Sequence, residues 1–379
     1  MEQRIYLDHA ATTPLHPQVI ERMHETLLQY YGNPSSIHSE GRKARALIEK
    51  ARKAMASHFN CSIGEIIFTS GATESNNMML HGAVSGLGVK TIITAPTEHH
   101  AVLHTLEALE NAGKINIIYL PVDLEGNPCL VSLEEHLTFL KNEKVLVSLM
   151  HSNNETGTLL NWEKAGAICK AYNAYFHSDT VQSIGFYDID LQSLPIDFIT
   201  GSAHKFNGPK GIGFAIINNE SMIPPFLYGG AQERNMRGGT ENLSGISGMS
   251  LALDLAMAEK TDRMNHLKIL KIQLYEGLSN LIPDLQLNGP AVDKGHPKIL
   301  NLGFPPNPKT TMLLFNLDIE GISISGGSAC SSGTDTGSHV LRAIHPENPY
   351  IPVRFSFSHL NTSEEIDKVV HIISRLNRS

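Results

Sequence analysis

The chain has 379 residues, 41% of them hydrophobic and 18% charged, which suits two domains, or one large α/β domain with a smaller companion, around a large buried core or interface. A net charge of −8 at pH 7 argues against nucleic acid as the main partner, and no apolar run approaches the ~18–20 residues that a membrane span needs. Four cysteines, at positions 61, 129, 169 and 330 with no CxxC pair, argue against a disulfide framework and a cysteine zinc site, and for a cytoplasmic protein with reduced thiols.

The first residues carry no apolar signal region. From Gly41 onward, helical and strand patterns alternate. Gly41–Phe59 places Leu47, Ile48, Ala51, Met55 and Phe59 on one face, a helical period. Glu65–Thr69 reads as a strand, Ser70–Thr73 breaks it, and Glu74–Val84 reads as a helix. A strand at Thr91–Thr94 precedes a helix at Ala101–Asn111, ended by Gly113. Further strands are predicted at Ile115–Leu120, Val145–Met150, Tyr175–Ser178, Phe198–Thr200 and Ile212–Ile217. Apolar strands separated by helices predict a mainly parallel sheet buried on both faces. The pattern then changes. A long charged helix is predicted over Met257–Leu281, followed by a strand at Ile299–Phe304, a helix at Thr311–Leu317, and strands at Ile322–Ser325 and Val353–Ser358. Thr362 with Glu365 forms a capping box for a last helix, so this part reads as a smaller α+β unit. In Ser325–Ser338, Ser, Gly and Thr fill 11 of 14 positions, which predicts a mobile segment with little to pack.

Five places combine groups that carry chemistry. Lys205 follows an apolar strand among Ser202, His204, Gly208 and Gly211. A lysine desolvated there suits Schiff-base chemistry, although a loop lysine facing water is the leading reading of that segment alone, and Lys210 shares the ambiguity. Ser70-Gly71-Ala72-Thr73 lies between strand and helix, where free amides and a hydroxyl form a phosphate site, or where a hydroxyl merely caps the helix. Asp179 is predicted at the carboxyl end of a strand, the edge where ligands bind in open α/β sheets, with an ordinary N-cap as the plainer reading. His99 and His100 follow another strand; one imidazole there can stack on a planar ring or move a proton, or simply be structural. Cys330 sits in the Gly/Ser segment, where a thiol is reactive, whereas Cys61, Cys129 and Cys169 read as small buried hydrophobes. No Walker loop and no GxGxxG occurs. A phosphate site, a Schiff-base lysine, an acid for a ring nitrogen and a stacking group together describe pyridoxal phosphate.

The order SGATES, TEHHAV, MHSNNETG, HSDTVQS, SAHKFNGPKGIG, GGAQERNMRGGTEN, GGSACSS and VRFSFS resembles the cysteine desulfurases, fold-type I pyridoxal-phosphate enzymes of the aminotransferase class V group with a long Cys loop. The resemblance implies a large domain over residues 13–258 on a mixed, mostly parallel seven-stranded sheet. It implies a smaller domain from 1–12 and 259–379 carrying the Cys loop at about 325–338. Lys205 would carry the cofactor and His99 would stack on its ring. Asp179 would pair with the ring nitrogen and Gln182 with the ring hydroxyl. Thr73, Ser202 and His204 would hold the phosphate beside Gly71 and Ala72, with Thr240 reaching the site of the other subunit of a homodimer. Arg354 and Asn154 would take the carboxylate of L-cysteine, Asn154 also lying against the cofactor. Cys330 would accept the sulfur as a persulfide and pass it to an acceptor protein for iron–sulfur assembly or tRNA thiolation, with no metal in the site. Selenocysteine lyase, another lyase of the class, and a non-catalytic sulfur-relay protein on the same fold are the alternatives. The Cys loop has more glycine than relatives carry, His9 replaces their Tyr or Asn and reads as structural, and the sequence ends at Ser379 without the tail that in some relatives docks a scaffold protein.

Overall fold

Short apolar runs rich in Ile, Val and Phe pair into sheets here because each can bury both of its faces. The computed structural model describes residues 4–218, 221, 223–326 and 337–378. Its strands in chain order are β1 (Ile5–Tyr6), β2 (Ile66–Thr69), β3 (Thr91–Thr94), β4 (Asn116–Tyr119), β5 (Val145–Ser148), β6 (Tyr175–Asp179), β7 (Phe198–Ser202), β8 (Gly213–Ile217), β9 (Gln286–Leu287), β10 (Ile299–Phe304), β11 (Ile322–Ser323) and β12 (Ile351–Ser356). Seven of them form one sheet in the order β2-β8-β7-β6-β5-β3-β4. Only β8 runs against its neighbours; the other pairings are parallel. The fold is therefore the mixed, mostly parallel α/β sheet that the resemblance implied. The loops leaving β2, β3, β5, β6 and β7 consequently emerge along one edge.

Strand residues alternate between two apolar clusters, one on each face. Ile66, Phe68, Ile93, Val147, Phe176 and Ile199 enter one, and Ile67, Ile92, Leu146, Phe198 and Ala215 the other. A third cluster belongs to the small unit. There the antiparallel sheet β12-β10-β9 packs Leu300, Leu302, Val353 and Phe355 against Leu267, Leu270, Leu274 and Leu278 of the helix Lys260–Ser279. β1 pairs with β11 in parallel, which draws the N-terminal segment onto this unit. The predicted capping box is present: Glu365 N donates to Thr362 Oγ1 at 3.3 Å and Thr362 N to Glu365 Oε2 at 3.2 Å.

Two expectations need correction. The single helix predicted over Met257–Leu281 is two helices, Leu243–Ala258 and Lys260–Ser279, meeting at Glu259. The first packs on other partners than the second: its small residues, Gly245, Ser247, Gly248 and Ser250 among them, are buried, and it lies against the helix Pro17–Gln29. That last helix buries only Val19 and Thr26. Cys129 is exposed rather than buried, because it stands just before the helix Leu130–Phe139. Cys169 is buried, and burial raises the thiol pKa of Cys61 to about 12.

Candidate active site

The edge where the parallel strands end opens into a cavity of about 600 Å³. Its wall includes Gly71, Ala72, Thr73, His99, Asn154, Asp179, Gln182, Ser202, His204, Lys205 and Arg354. Eleven expected site residues, scattered over 284 positions of sequence, thus share one space. Two do not appear there. Thr240 is exposed and does not line this cavity. Cys330 lies outside the described residues.

Each group is placed by local structure. The helix Ala72–Gly82 begins at Gly71 with no side-chain cap. Ser70 donates instead to Glu74 Oε2, from N at 2.9 Å and from Oγ at 2.5 Å. The plainer reading of this turn as a hydroxyl-capped helix start therefore fails. The first-turn amides keep their positive end toward the cavity, which favours an anion.

Asp179 is the last residue of β6 and is 5% exposed. It does not cap a helix. Its Oδ1 accepts from Val181 N at 3.0 Å and its Oδ2 from Asn76 Nδ2 at 2.7 Å. Asn76 in turn lies 3.1 Å from His177 Nε2, and His177 Nδ1 lies 2.8 Å from Ser148 Oγ. Burial lowers the His177 pKa to about 4, so a neutral ring completes this chain. Asn76 is fully buried, and sequence reading did not single it out, since it lies just past the SGATES run. Gln182 Nε2 donates to the carbonyl of Ala10 at 2.9 Å, while its Oε1 is buried without a partner among the described residues.

His99 precedes the helix His100–Asn111 and its Nδ1 accepts from Ala101 N at 3.1 Å. Burial foremost holds its pKa down, so the ring is neutral and able to lie against a planar partner. His204 Nδ1 lies 3.1 Å from Thr12 Oγ1, and burial with the charge of Lys205 lowers its pKa to about 4. Lys205 closes a short 3-10 turn, and its Nζ donates to the carbonyls of Ala10 and Ala11 at 2.7 and 2.8 Å. On the small-unit side, Arg354 of β12 is 1% exposed. Its Nη2 donates to Asp8 Oδ1 at 2.8 Å and its Nη1 to the carbonyl of Asn154 at 2.9 Å.

Sequence reading also missed Glu98, Glu155 and His339. Burial holds the Glu98 carboxyl well above the usual range, and its Oε1 accepts from Met150 N at 2.6 Å. Ser338 Oγ donates to Glu155 Oε2 at 2.5 Å, and His339 Nε2 is 2.8 Å from the carbonyl of Glu98. The only sequence signal for the two acids was their position inside the TEHHAV and MHSNNETG runs. Among the described residues, no group of three or more His, Cys, Asp or Glu side chains could hold a metal. No helix among the described residues is long and apolar enough to cross a membrane.

The donor set fits pyridoxal phosphate. An uncapped helix start with Thr73, Ser202 and His204 beside it suits a phosphate. A buried carboxylate suits a protonated ring nitrogen, the orphaned Gln182 Oε1 suits a ring hydroxyl, and an amine stands in the same cavity.

Comparison with known proteins agrees. The aminotransferase class-V family profile matches residues 5–369. A cysteine desulfurase IscS of Dictyoglomus turgidum is 41% identical over 99% of this chain and 95% of its own length. The solved structure of a NifS-like protein superposes with a TM-score of 0.91 at 36% identity, covering 99% of this chain and 100% of that one. A structure of SspA in complex with cysteine superposes with a TM-score of 0.80 at 30% identity, covering 94% and 100%. Matched across nearly its whole length by a family profile and by relatives of this identity, the chain belongs to the aminotransferase class-V family.

Proposed function

We propose that this protein is a pyridoxal-phosphate-dependent cysteine desulfurase that converts L-cysteine to L-alanine and leaves the sulfur on Cys330. The observation that carries the reading is one cavity holding the amine of Lys205, the carboxylate of Asp179 and the guanidinium of Arg354. When bound, the cofactor supplies an electron sink for the bond changes at the substrate Cα. The chain supplies the rest. Thr73, Ser202, His204 and the amides at Gly71 and Ala72 hold the phosphate. Asp179 keeps the ring nitrogen protonated, His99 lies against the ring face, and Gln182 meets the ring hydroxyl. Arg354, aimed by Asp8 and by the Asn154 carbonyl, takes the substrate carboxylate, with Asn154 beside it. Lys205 moves the Cα proton. The Cys330 thiolate then attacks the substrate sulfur. The carbon–sulfur bond breaks, its electrons pass to Cβ, which takes a proton, and a persulfide and alanine result.

The same reading places the protein in the cytoplasm as a homodimer that hands sulfur to acceptor proteins for iron–sulfur or tRNA chemistry. Exposed Leu27 and Leu28 on the helix Pro17–Gln29, exposed Tyr31 just after it, and exposed Tyr228 support a second copy as partner. The separate apolar clusters support a division into residues 13–258 and a unit of 1–12 with 259–379. Mass spectrometry after exposure to L-cysteine tests the chemistry. Cys330 is expected to gain one sulfur, and Cys330→Ala to lose the adduct while keeping the visible cofactor band. A protein that releases sulfide equally well as Cys330→Ala would sink the persulfide role.

A further inference from the structure

Lys298 stands immediately before β10 and is 1% exposed. Its Nζ donates to the carbonyl of Lys205 at 3.1 Å and lies 5.2 Å from the centre of the Phe186 ring. No carboxylate pairs with this amine among the described residues. The charges around it are mostly of its own kind. Lys205 and Arg354 bear on it, and the imidazoles of His9, His204 and His296 respond to it. Asp8 is the one acid whose charge reaches it, and Asp8 is already engaged by Arg354 at 2.8 Å. Burial first, then the Lys205 and Arg354 charges, hold the Lys298 ammonium well below the ordinary lysine range. An ammonium buried without a counter-charge is costly, so an uncharged amine is the form that this environment accepts. An apolar side chain would avoid that cost but would leave the Lys205 carbonyl without this donor.

We propose that Lys298 is a positioning residue for Lys205: an uncharged amine that fixes the carbonyl of the cofactor lysine from behind and adds no charge beside it. The proposal rests on Lys205 being the cofactor lysine. Because the fold releases a proton that the unfolded chain holds on this amine, the contribution of Lys298 to stability rises with pH up to about 10.4 and is smaller at pH 7 than at pH 10.

The test uses Lys298→Met, Lys298→Gln and Lys298→Arg. Thermal melts of the cofactor-free protein are followed from pH 7 to pH 10, and the visible cofactor band of the loaded protein is titrated. Lys298→Met is expected to melt above the parent at pH 7, with the gap closing by pH 10. In the loaded protein it is expected to lower kcat roughly tenfold with KM nearly unchanged, and Lys298→Gln, a neutral donor, to restore most of that loss. Lys298→Arg, an obligate cation, is expected to move the midpoint of the cofactor band down by about one pH unit. A melting gap that stays constant with pH in both the Met and Gln variants, or a Lys298→Met protein with the parent's kcat, overturns the proposal. Absence of any lysine-dependent cofactor band would instead overturn the role of Lys205, while the melts still decide the charge of Lys298.

Discussion

Arg354 shows how a single residue is prepared. A buried guanidinium needs its donors satisfied, and Asp8 and the Asn154 carbonyl each take one nitrogen. A planar guanidinium fork is matched to a carboxylate in a way that a lysine ammonium is not. Arg354→Lys is therefore expected to raise KM for L-cysteine by about tenfold or more, measured by alanine formation, with the cofactor band unchanged. An unchanged KM would remove Arg354 from substrate binding. Asn76 is prepared in the same manner, one amide serving both Asp179 and His177. Asn76→Ala strands a buried imidazole nitrogen and one Asp179 oxygen, so a loss of about 1–3 kcal/mol in unfolding free energy is expected, together with weaker cofactor retention on dialysis. The motifs holding Arg354 and Asp179 were legible in the sequence, and Asn76 directly follows another. The hydrogen bonds were not, because Asn76 and Asp179 are 103 positions apart.

Among elements, the segment before Thr240 shows packing overriding local preference. Glu233, Arg234 and Asn235 all take left-handed backbone angles, φ of 42°, 58° and 65°, a strained run for residues that are not glycine. A buried pair offsets it. Arg52 Nη1 and Nη2 donate to Glu233 Oε2 and Oε1 at 2.9 Å each, and Phe68 N donates to Oε2 at 2.8 Å. The turn is thereby riveted to β2 and to the helix Ser39–Phe59. Glu233→Gln removes the buried partner of Arg52 and leaves it only the part-exposed Glu49, 3.3 Å away, so a destabilisation of about 3 kcal/mol is expected by denaturant unfolding. A loss under about 1 kcal/mol would show that the turn holds itself. The GGAQERNMRGGTEN run marked this segment in the sequence as part of a family pattern. Nothing in periodicity distinguished its strained turn from an ordinary loop.

For the whole molecule, the position of Thr240 sets the clearest test. It is exposed and apart from its own chain's cavity, as a residue serving a second copy would be. Thr240→Ala is expected to weaken cofactor binding roughly tenfold, the order of one hydrogen bond to a charged group. A mixed dimer of a Thr240→Ala chain with a Lys205→Ala chain discriminates further. The first chain keeps Lys205 and borrows an intact Thr240, so one working site per dimer and about half the parent activity are expected on the cross-subunit geometry. A mixed dimer no better than the Thr240→Ala homodimer would refute it.

The sequence by itself determined which residue types were present and, through the order of its motifs, the family and its cofactor chemistry. It also determined most strands, since short runs such as Thr91–Thr94 and Ile299–Phe304 needed only their own apolar side chains to declare themselves. It misplaced elements whose limits depend on partners, such as the helices meeting at Glu259, because a local pattern does not register which surface a helix will meet. Only the tertiary structure decided the protonation and aim of the site. Nothing in the sequence marks Lys298, which becomes an uncharged amine behind Lys205 only because the small unit's sheet carries it out of water. Burial and partner identity are properties of the folded whole, and they set what each of these side chains can do.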